Sequence, residues 1–210
     1  MSEPGPVARG RYHHGDLRAA LIAGGRELLA EAGLAGFSVA AIARRLGVST
    51  AAPYRHFPDR DHLLAAVATR VATELLGVLD AAVATAGPDP LEQLTACAGA
   101  YVDFVSARRV GFDVVFAPSL RALGDRDLAA AGRGVMQALL VPARELEPDP
   151  VLALRLVEQV IALATGYAAL DADRFLSADR LTDATTPSRA RDAARALVRG
   201  RLQTGAAPSE

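Results

Sequence analysis

The feature that most constrains this chain is a pair of short helix signals separated by one glycine, within residues 37–60. Ser38 can cap the first helix, whose apolar residues recur at helical spacing as far as Leu46. Gly47 follows at the point where a helix end favours a left-handed residue, and Val48 can fold back over the turn. The sequence therefore predicts a helix that stops abruptly in a tight turn.

A second short helix is predicted directly after this turn. Ser49 can cap it, and Pro53 lies near its first turn, so some irregularity is expected at Ala52, the residue before the proline. The helix should end at Phe57 and Pro58, with Asp59 capping the next one. Two short helices joined in this way are typical of a helix-turn-helix, although such corners also occur in helical proteins that never bind DNA.

The side chains of the second helix suit the major groove of DNA. Small residues at its start permit close approach, so Thr50, Ala51 and Ala52 could touch base edges or a thymine methyl group. The polar and charged residues that follow could reach phosphates: Tyr54, Arg55, His56 and Arg60. DNA binding and a purely structural corner both remain open on this spacing alone.

The segment from Leu17 to Leu64 resembles the N-terminal domain of the TetR family of transcriptional regulators. The resemblance rests on FSVAAIARRLGVS, YRHF and DRDHLL in order, and YHHGDLRAAL and AAPYRHF resemble one subgroup. It implies backbone contacts from Ser38, Tyr54 and His56, and base-edge contacts around Arg45 and from Thr50 to Pro53. It also implies a phosphate contact at Arg60, where the family usually has lysine.

The first helix is predicted from Asp16, its cap, to Gly33, which closes it. Its buried stripe should comprise Leu17, Leu21, Leu28 and Ala32. The adjacent His13 and His14 argue against a metal site, because neighbouring side chains diverge. Arg9 and Arg11 precede this helix, in an arm that either contacts DNA or is simply solvated.

Composition and charge are consistent with an intracellular DNA-binding protein. All 23 basic residues are arginines, and residues 1–62 carry eight of them against six acids, whereas the remainder has fifteen against eighteen. No uninterrupted apolar run is long enough to span a bilayer, and the start lacks an apolar secretory core, so a cytoplasmic location is expected. Cys97, the single cysteine, is interpreted as a core residue.

The rest of the chain is predicted to be helical, with no period-two pattern, so the fold class is all-α. A fourth helix begins at Asp59 with apolar residues every four positions, a stripe that winds around the helix and suits a connector between two domains. Further helices are expected at about 90–108, 112–120, 125–146, 150–170 and 187–203, broken near Gly111, Pro118 and Pro142. Asp89, Asp149 and Thr186, each before a proline, should cap three of them.

A homodimer is expected through the last two helices. The helix at 150–170 is apolar nearly all round, and the final helix carries a stripe of Ala190, Ala194, Val198 and Leu202. Two recognition helices would then read a palindromic operator.

The resemblance also implies a cavity for a small-molecule ligand, although plain core packing explains the same residues. The candidates are Tyr101, Phe104, Phe112, Phe116, Met136, Leu139, Leu140, Leu163 and Tyr167.

The predicted organisation is an arm at 1–14, a three-helix helix-turn-helix domain at 15–62, a helical ligand-binding and dimerisation domain at 63–204, and a tail at 205–210. The predicted function is a transcriptional regulator, a repressor released by its ligand, with activation or co-repression as alternatives. No cofactor, metal or catalytic residue is expected. An enzyme using Asp103, Arg108, Asp113 and Thr165 is the rival class, and no nucleophile with its base stands out.

Overall fold

The computed structural model describes residues 17–172 and 185–205, and these residues form helices and turns without a strand. The predicted all-α fold is confirmed. The predicted Asp16 cap, the two histidines at 13 and 14 and the N-terminal arm lie outside the described residues. The α-helices are α1 (Leu17–Ala32), α2 (Val39–Arg45), α3 (Arg60–Ala86), α4 (Pro90–Arg108), α5 (Phe112–Val115), α6 (Pro118–Arg121), α7 (Arg126–Leu146), α8 (Pro150–Ala172) and α9 (Thr186–Gly205).

Helix α1 packs on α2 and α3 to form the N-terminal unit. Leu21 and Leu28 are buried as predicted, and Gly33 ends the helix with a φ of 64°. Ala32, however, is exposed, and the buried face includes Gly25 instead. A Cβ atom on Gly25 would lie 2.7 Å from a methyl group of Val67, so the missing side chain lets α1 approach α3 closely.

Helix α3 connects this unit to the rest of the chain. Asp59 caps it by accepting hydrogen bonds from the amides of Asp61 and His62, and the helix runs unbroken across the boundary predicted at residue 62. The predicted winding stripe is buried from Leu63 to Leu79. Its surface contacts α1 at the beginning and α4, α5, α6 and α7 farther along. Gly77 is the one glycine in α3 and is exposed.

Local signals predicted most of the C-terminal helix starts. Asp89 and Asp149 cap α4 and α8 as expected. The cap of α9 is Thr185 instead of Thr186, because the Thr185 hydroxyl and carbonyl accept the first amides, while Thr186 donates its hydroxyl to Asp171.

One of the predicted breaks is confirmed and another is wrong. As predicted, the helical segment at 112–120 is broken near Pro118 into two single-turn helices, α5 and α6, since Pro118 lacks the amide that would join them. Pro142 does not break α7; it is buried inside the helix beside Ala143, so packing compensates for the lost backbone bond.

The stripe on α9 faces the interior of the subunit. Ala190, Ala194 and Val198 are fully buried, and α9 packs mainly on α4, so the prediction that these residues meet a partner is wrong. An apolar stripe shows that a helix face is covered but not whether the cover belongs to the same chain.

Two helices, α3 and α8, are long and apolar enough by length and composition to cross a membrane. Half of the most apolar stretch of α3 is buried within the molecule, but only 33% of that of α8. Helix α8 therefore has an exposed side that residues 17–172 and 185–205 leave uncovered, on which Leu154, Ala162 and Leu170 lie among the polar Arg155, Glu158 and Gln159.

Glu92 on α4 holds α9 in place through two arginines. Arg195 donates two hydrogen bonds to its carboxylate at 2.9 and 2.7 Å, and Arg191 donates one at 2.9 Å. These bonds, first from Arg195 and then from Arg191, lower the pKa of Glu92 to about 2.

The clamp should stabilise the fold in a pH-dependent way. Because the pKa of Glu92 is depressed in the folded state, its contribution is complete above the usual pKa of 4.5 and is lost as pH falls towards 2. We expect Glu92→Gln to lower the free energy of unfolding by about 1 kcal/mol at pH 6 and by progressively less below pH 4.5. Urea unfolding from pH 6 to pH 3 measures this, with Glu145→Gln, an exposed glutamate of α7, as the control. A difference in unfolding free energy between the parent protein and Glu92→Gln that stays constant over this pH range would contradict the assignment.

Candidate DNA-binding surface and ligand cleft

The turn after α2 is set by a glycine with a positive φ. Ser38 caps α2 by accepting the Ala41 amide at 3.3 Å. At the other end Gly47 has a φ of 67°, its amide donates to the Arg44 carbonyl, and the Val48 amide donates to the Ala43 carbonyl. This pair of bonds is a Schellman motif, which turns the chain sharply away from α2.

The element after the turn is shorter than predicted. In place of a second α-helix there is a 3₁₀ turn at Pro53–Arg55, with Ala52 and not Ser49 at its cap. Pro53 has no amide to donate to the Ser49 carbonyl, which instead accepts the Ala52 amide at 3.0 Å. The expected irregularity therefore lies in the hydrogen bonding, since Ala52 itself has helical dihedral angles of −62° and −41°.

The predicted DNA-contacting residues divide into an outward set and an inward set. Thr50, Ala51, Tyr54, Arg55 and His56 are exposed, with Tyr54 54% exposed. Ser38 and Ala52 are half-buried, whereas Pro53 is buried against the N-terminal unit and cannot present itself to a base edge in this conformation.

Arg45 is exposed but already paired. Its guanidinium donates two hydrogen bonds to the Glu31 carboxylate, one of them at 2.9 Å, and these bonds lower the pKa of Glu31. Arg45 can reach a base only by giving up this partner.

Arg60 is a structural contact in this structure. Its side chain donates to the carbonyl of Phe37 at 3.1 Å and of Leu34 at 3.0 Å, and pairs with Asp61 at 2.8 Å. Its guanidinium also lies 5.4 Å from the centre of the Phe37 ring. These bonds join the start of α3 to the loop between α1 and α2. The side chain of Arg60 stays 43% exposed and two of its five N–H groups make none of these bonds, so the predicted phosphate contact stays a prediction.

An ion cluster that the sequence analysis missed joins the N-terminal unit to the core. Glu74 on α3 pairs with Arg70 at 2.7 Å, with Arg26 of α1 at 3.5 Å and with Arg108 of α4 at 3.4 Å. The Arg70 and Glu74 spacing was readable as a helical pair, but the contacts from α1 and α4 depend on the tertiary fold.

The predicted ligand-binding residues separate into three groups. Tyr101 and Phe112 stack at 4.4 Å between ring centres and, with Leu139, line a void of about 10 Å³ that is too small for a ligand. Phe104 is buried beneath Arg108, whereas Leu163 and Tyr167 are half-buried core contacts.

Phe116, Met136 and Leu140 line a larger cleft of about 470 Å³ between α5, α6 and α7. Its volume is typical of small-molecule sites. Of the residues expected from sequence, these three are therefore the ones placed at a cavity that could hold a ligand.

The four residues named for the rival enzyme interpretation do not form a catalytic site among the described residues. Asp103, Asp113 and Thr165 are exposed, and Arg108 is engaged by Glu74. Burial, followed by the nearby Asp80, raises the pKa of Cys97 to about 12, as befits a core thiol. Within residues 17–172 and 185–205 no group of three or more His, Cys, Asp or Glu side chains could hold a metal ion.

Comparison with known families and structures adds an independent finding. Residues 21–67 match the family described as bacterial regulatory proteins, tetR family. No curated protein sequence matches the chain.

Solved structures match over nearly the whole chain. A protein of unknown function from Rhodococcus sp. RHA1 is 31% identical, with a TM-score of 0.70, covering 91% of this chain and 98% of that one. A putative tetR family transcription regulator from Shewanella sp. PV-4 is 19% identical, with a TM-score of 0.63 and coverages of 88% and 96%. BioQ, solved with its double-stranded DNA operator, is also 19% identical, with a TM-score of 0.58 and coverages of 89% and 98%.

Unfolding measurements should distinguish Arg60 from Tyr54. Arg60→Gln leaves two loop carbonyls without their donors, so we expect it to lower the free energy of unfolding by about 1 to 3 kcal/mol. Tyr54→Ala alters an exposed side chain and should change it by less than about 0.5 kcal/mol. Urea titrations of both variants test this. If the Arg60 variant is as stable as the parent protein, the contacts of Arg60 with the loop carbonyls do not stabilise the fold.

Proposed function

Because this chain belongs to the tetR family of bacterial regulatory proteins and is a DNA-binding transcriptional regulator, we propose that it is a repressor that a small-molecule ligand releases from its operator. The observation that carries the proposal is the path of α3. This helix starts beside the DNA-binding turn and packs on α5, α6 and α7, which form the walls of the cleft. A ligand that favours one arrangement of these walls therefore favours one position of the turn.

The DNA contacts are assigned to the exposed part of the turn. Thr50 and Ala51 face base edges, with Arg45 joining them once it leaves Glu31, whereas Tyr54, Arg55 and His56 contact the phosphate backbone. The small residues at the start of the turn permit the close approach that base contacts need. The structure of BioQ bound to its operator supports a DNA duplex as the partner, and a cytoplasmic location is proposed on the same ground.

A homodimer is assigned to α8, with α9 at its edge. Leu154 and Leu170 are 41% and 40% exposed and lie at the two edges of the broad exposed side of α8, and Ala162 lies exposed midway between them. Small residues such as Ala162 allow two helices to approach closely. A twofold axis through this face presents two turns to the two halves of a palindromic site.

A charge at the centre of this face should separate the subunits. We expect Ala162→Arg to be monomeric at micromolar concentration, because pairing would force a long charged side chain into the centre of the interface. Ala130→Arg, an exposed position on α7, is the matched control and should remain dimeric. Sedimentation equilibrium measures both. A dimeric Ala162→Arg protein would move the interface elsewhere.

Binding-site selection from genomic fragments tests the DNA assignment. We expect an inverted repeat whose half-sites lie about 34 to 36 Å apart, or a multiple of this spacing. Thr50→Ala should change the preference at particular base pairs by about 1 to 3 kcal/mol, whereas Tyr54→Ala or His56→Ala should weaken operator and random DNA alike. Equal losses on all sequences for Thr50→Ala would move that residue to the backbone set.

Release is tested with a compound that raises the thermal stability of the protein and is then titrated into the operator complex. We expect operator affinity to fall by roughly 5- to 150-fold, the usual range of coupling between two sites. An unchanged or higher affinity would replace release with co-repression or activation.

A further inference from the structure

We propose that the cleft between α5, α6 and α7 binds an apolar molecule that carries a single carboxylate. This inference rests on the proposed function, since it names the chemical class of the ligand that acts on the same site. It is carried by two features of the cleft: apolar walls that can pack against a chain or ring, and two arginines at its rim.

The walls of the cleft supply the apolar part of the site. Val115, Phe116 and Leu120 line it from α5 and α6, and Leu128 and Met136 line it from α7. Gly132 lies between the two α7 residues, and a Cβ atom there would be in van der Waals contact with the Phe116 ring at 3.4 Å, so a larger side chain would take up part of the cleft. A volume of about 470 Å³ accommodates a ligand of some ten to fifteen heavy atoms at about 30 Å³ each, close to the share of a water molecule in the liquid.

The rim supplies the charge. Arg121 at the end of α6 and Arg133 on α7 both line the cleft and are both exposed. Across residues 17–172 and 185–205 neither has a carboxylate at ion-pair distance, in contrast to Arg108, Arg191 and Arg195, which are all paired. A guanidinium presents a planar fork of donors that matches a carboxylate.

The acidic residue at the rim offsets only one of these two charges. Asp125 also lines the cleft, but one of its oxygens accepts the Leu128 amide at 2.8 Å as the cap of α7. The rim therefore holds two cations and one anion, and its net charge is positive. An anionic headgroup between Arg121 and Arg133 gives them the partner that the described residues do not.

Occupancy of the cleft acts directly on α3. Two residues beyond Gly132, a Cβ atom on Gly134 would lie 2.8 Å from a methyl group of Leu76, so α7 and α3 are in close contact there. A ligand that moves this turn of α7 must move Leu76 or shift α3.

The experiment measures binding to the full-length protein in the absence of DNA, by isothermal titration calorimetry with decanoate, decanamide and decylamine. These probes share one apolar chain and differ in charge. We expect decanoate to bind at least tenfold more tightly than decanamide, with decylamine the weakest. Equal affinities for decanoate and decanamide would overturn the assigned carboxylate, and no binding of any probe would overturn the site.

Variants locate the contact. Arg133→Gln should weaken decanoate at least tenfold without changing decanamide, whereas Arg126→Gln, on the same helix outside the cleft, should leave both unchanged. Ala129→Leu narrows the cleft from its rim and should weaken both probes, with Ala130→Leu as the control. Thermal unfolding of each variant verifies folding. If neither the Arg133 variant nor the Ala129 variant changes the affinity for the probes, the probes bind elsewhere on the protein.

The outcome is separable from that of the proposed function. If decanoate binds as expected but operator affinity does not change, the carboxylate site stands and ligand release is wrong as the mechanism. If some other compound releases the protein from its operator while decanoate fails to bind, the proposed ligand-released repressor stands and the carboxylate ligand is wrong.

Discussion

The burial of one continuous face of α3 is the constraint on which the rest of this structure depends. Leu63, Val67, Val71, Leu75 and Leu79 are all fully buried, yet they do not share one neighbour along the helix. Residues four apart advance around an α-helix by slightly more than a turn, so this face winds by about 40° per step. The start of α3 is thereby covered by α1 and its end by α4 and α7, which makes one helix part of both the DNA-binding unit and the core.

Arginine forks fix the junctions between these elements. Arg60 fastens α3 to the loop after α1, Arg195 fastens α9 to Glu92, and Arg26 and Arg108 meet at Glu74. Each fork joins residues far apart in sequence. In a chain without lysine the same residue type must also contact DNA, so whether an arginine is structural or functional depends on whether the fold already gives it a partner.

The sequence predicted those parts of the fold that local chemistry determines. Ser38, Gly47, Asp59, Asp89 and Asp149 act within a few residues of themselves, so their roles were readable without tertiary information. The site was predicted less completely. Exposure of Thr50 and Tyr54 agrees with the expected surface, but the burial of Pro53 and the loop contacts of Arg60 depend on packing against α1 and its loop. The prediction that the apolar stripe of α9 meets a partner subunit was wrong for the same reason, since α4 covers that face.

Gly77 gives α3 a point at which the helix can bend. A glycine in a helix interior costs about 1 kcal/mol relative to alanine, and among the described residues nothing lies within 4 Å of the place where its side chain would be. The helix is thus weakest just past Glu74, where its cover changes from the DNA-binding unit to the core. From Gly77 back to Arg60 the helix is about 25 Å long at 1.5 Å per residue, so a bend of about 5° would displace its start by about 2 Å. Such a displacement exceeds the tolerance of a hydrogen bond to a base, so a bend too small to disturb the core is large enough to take a recognition turn out of register with its half-site.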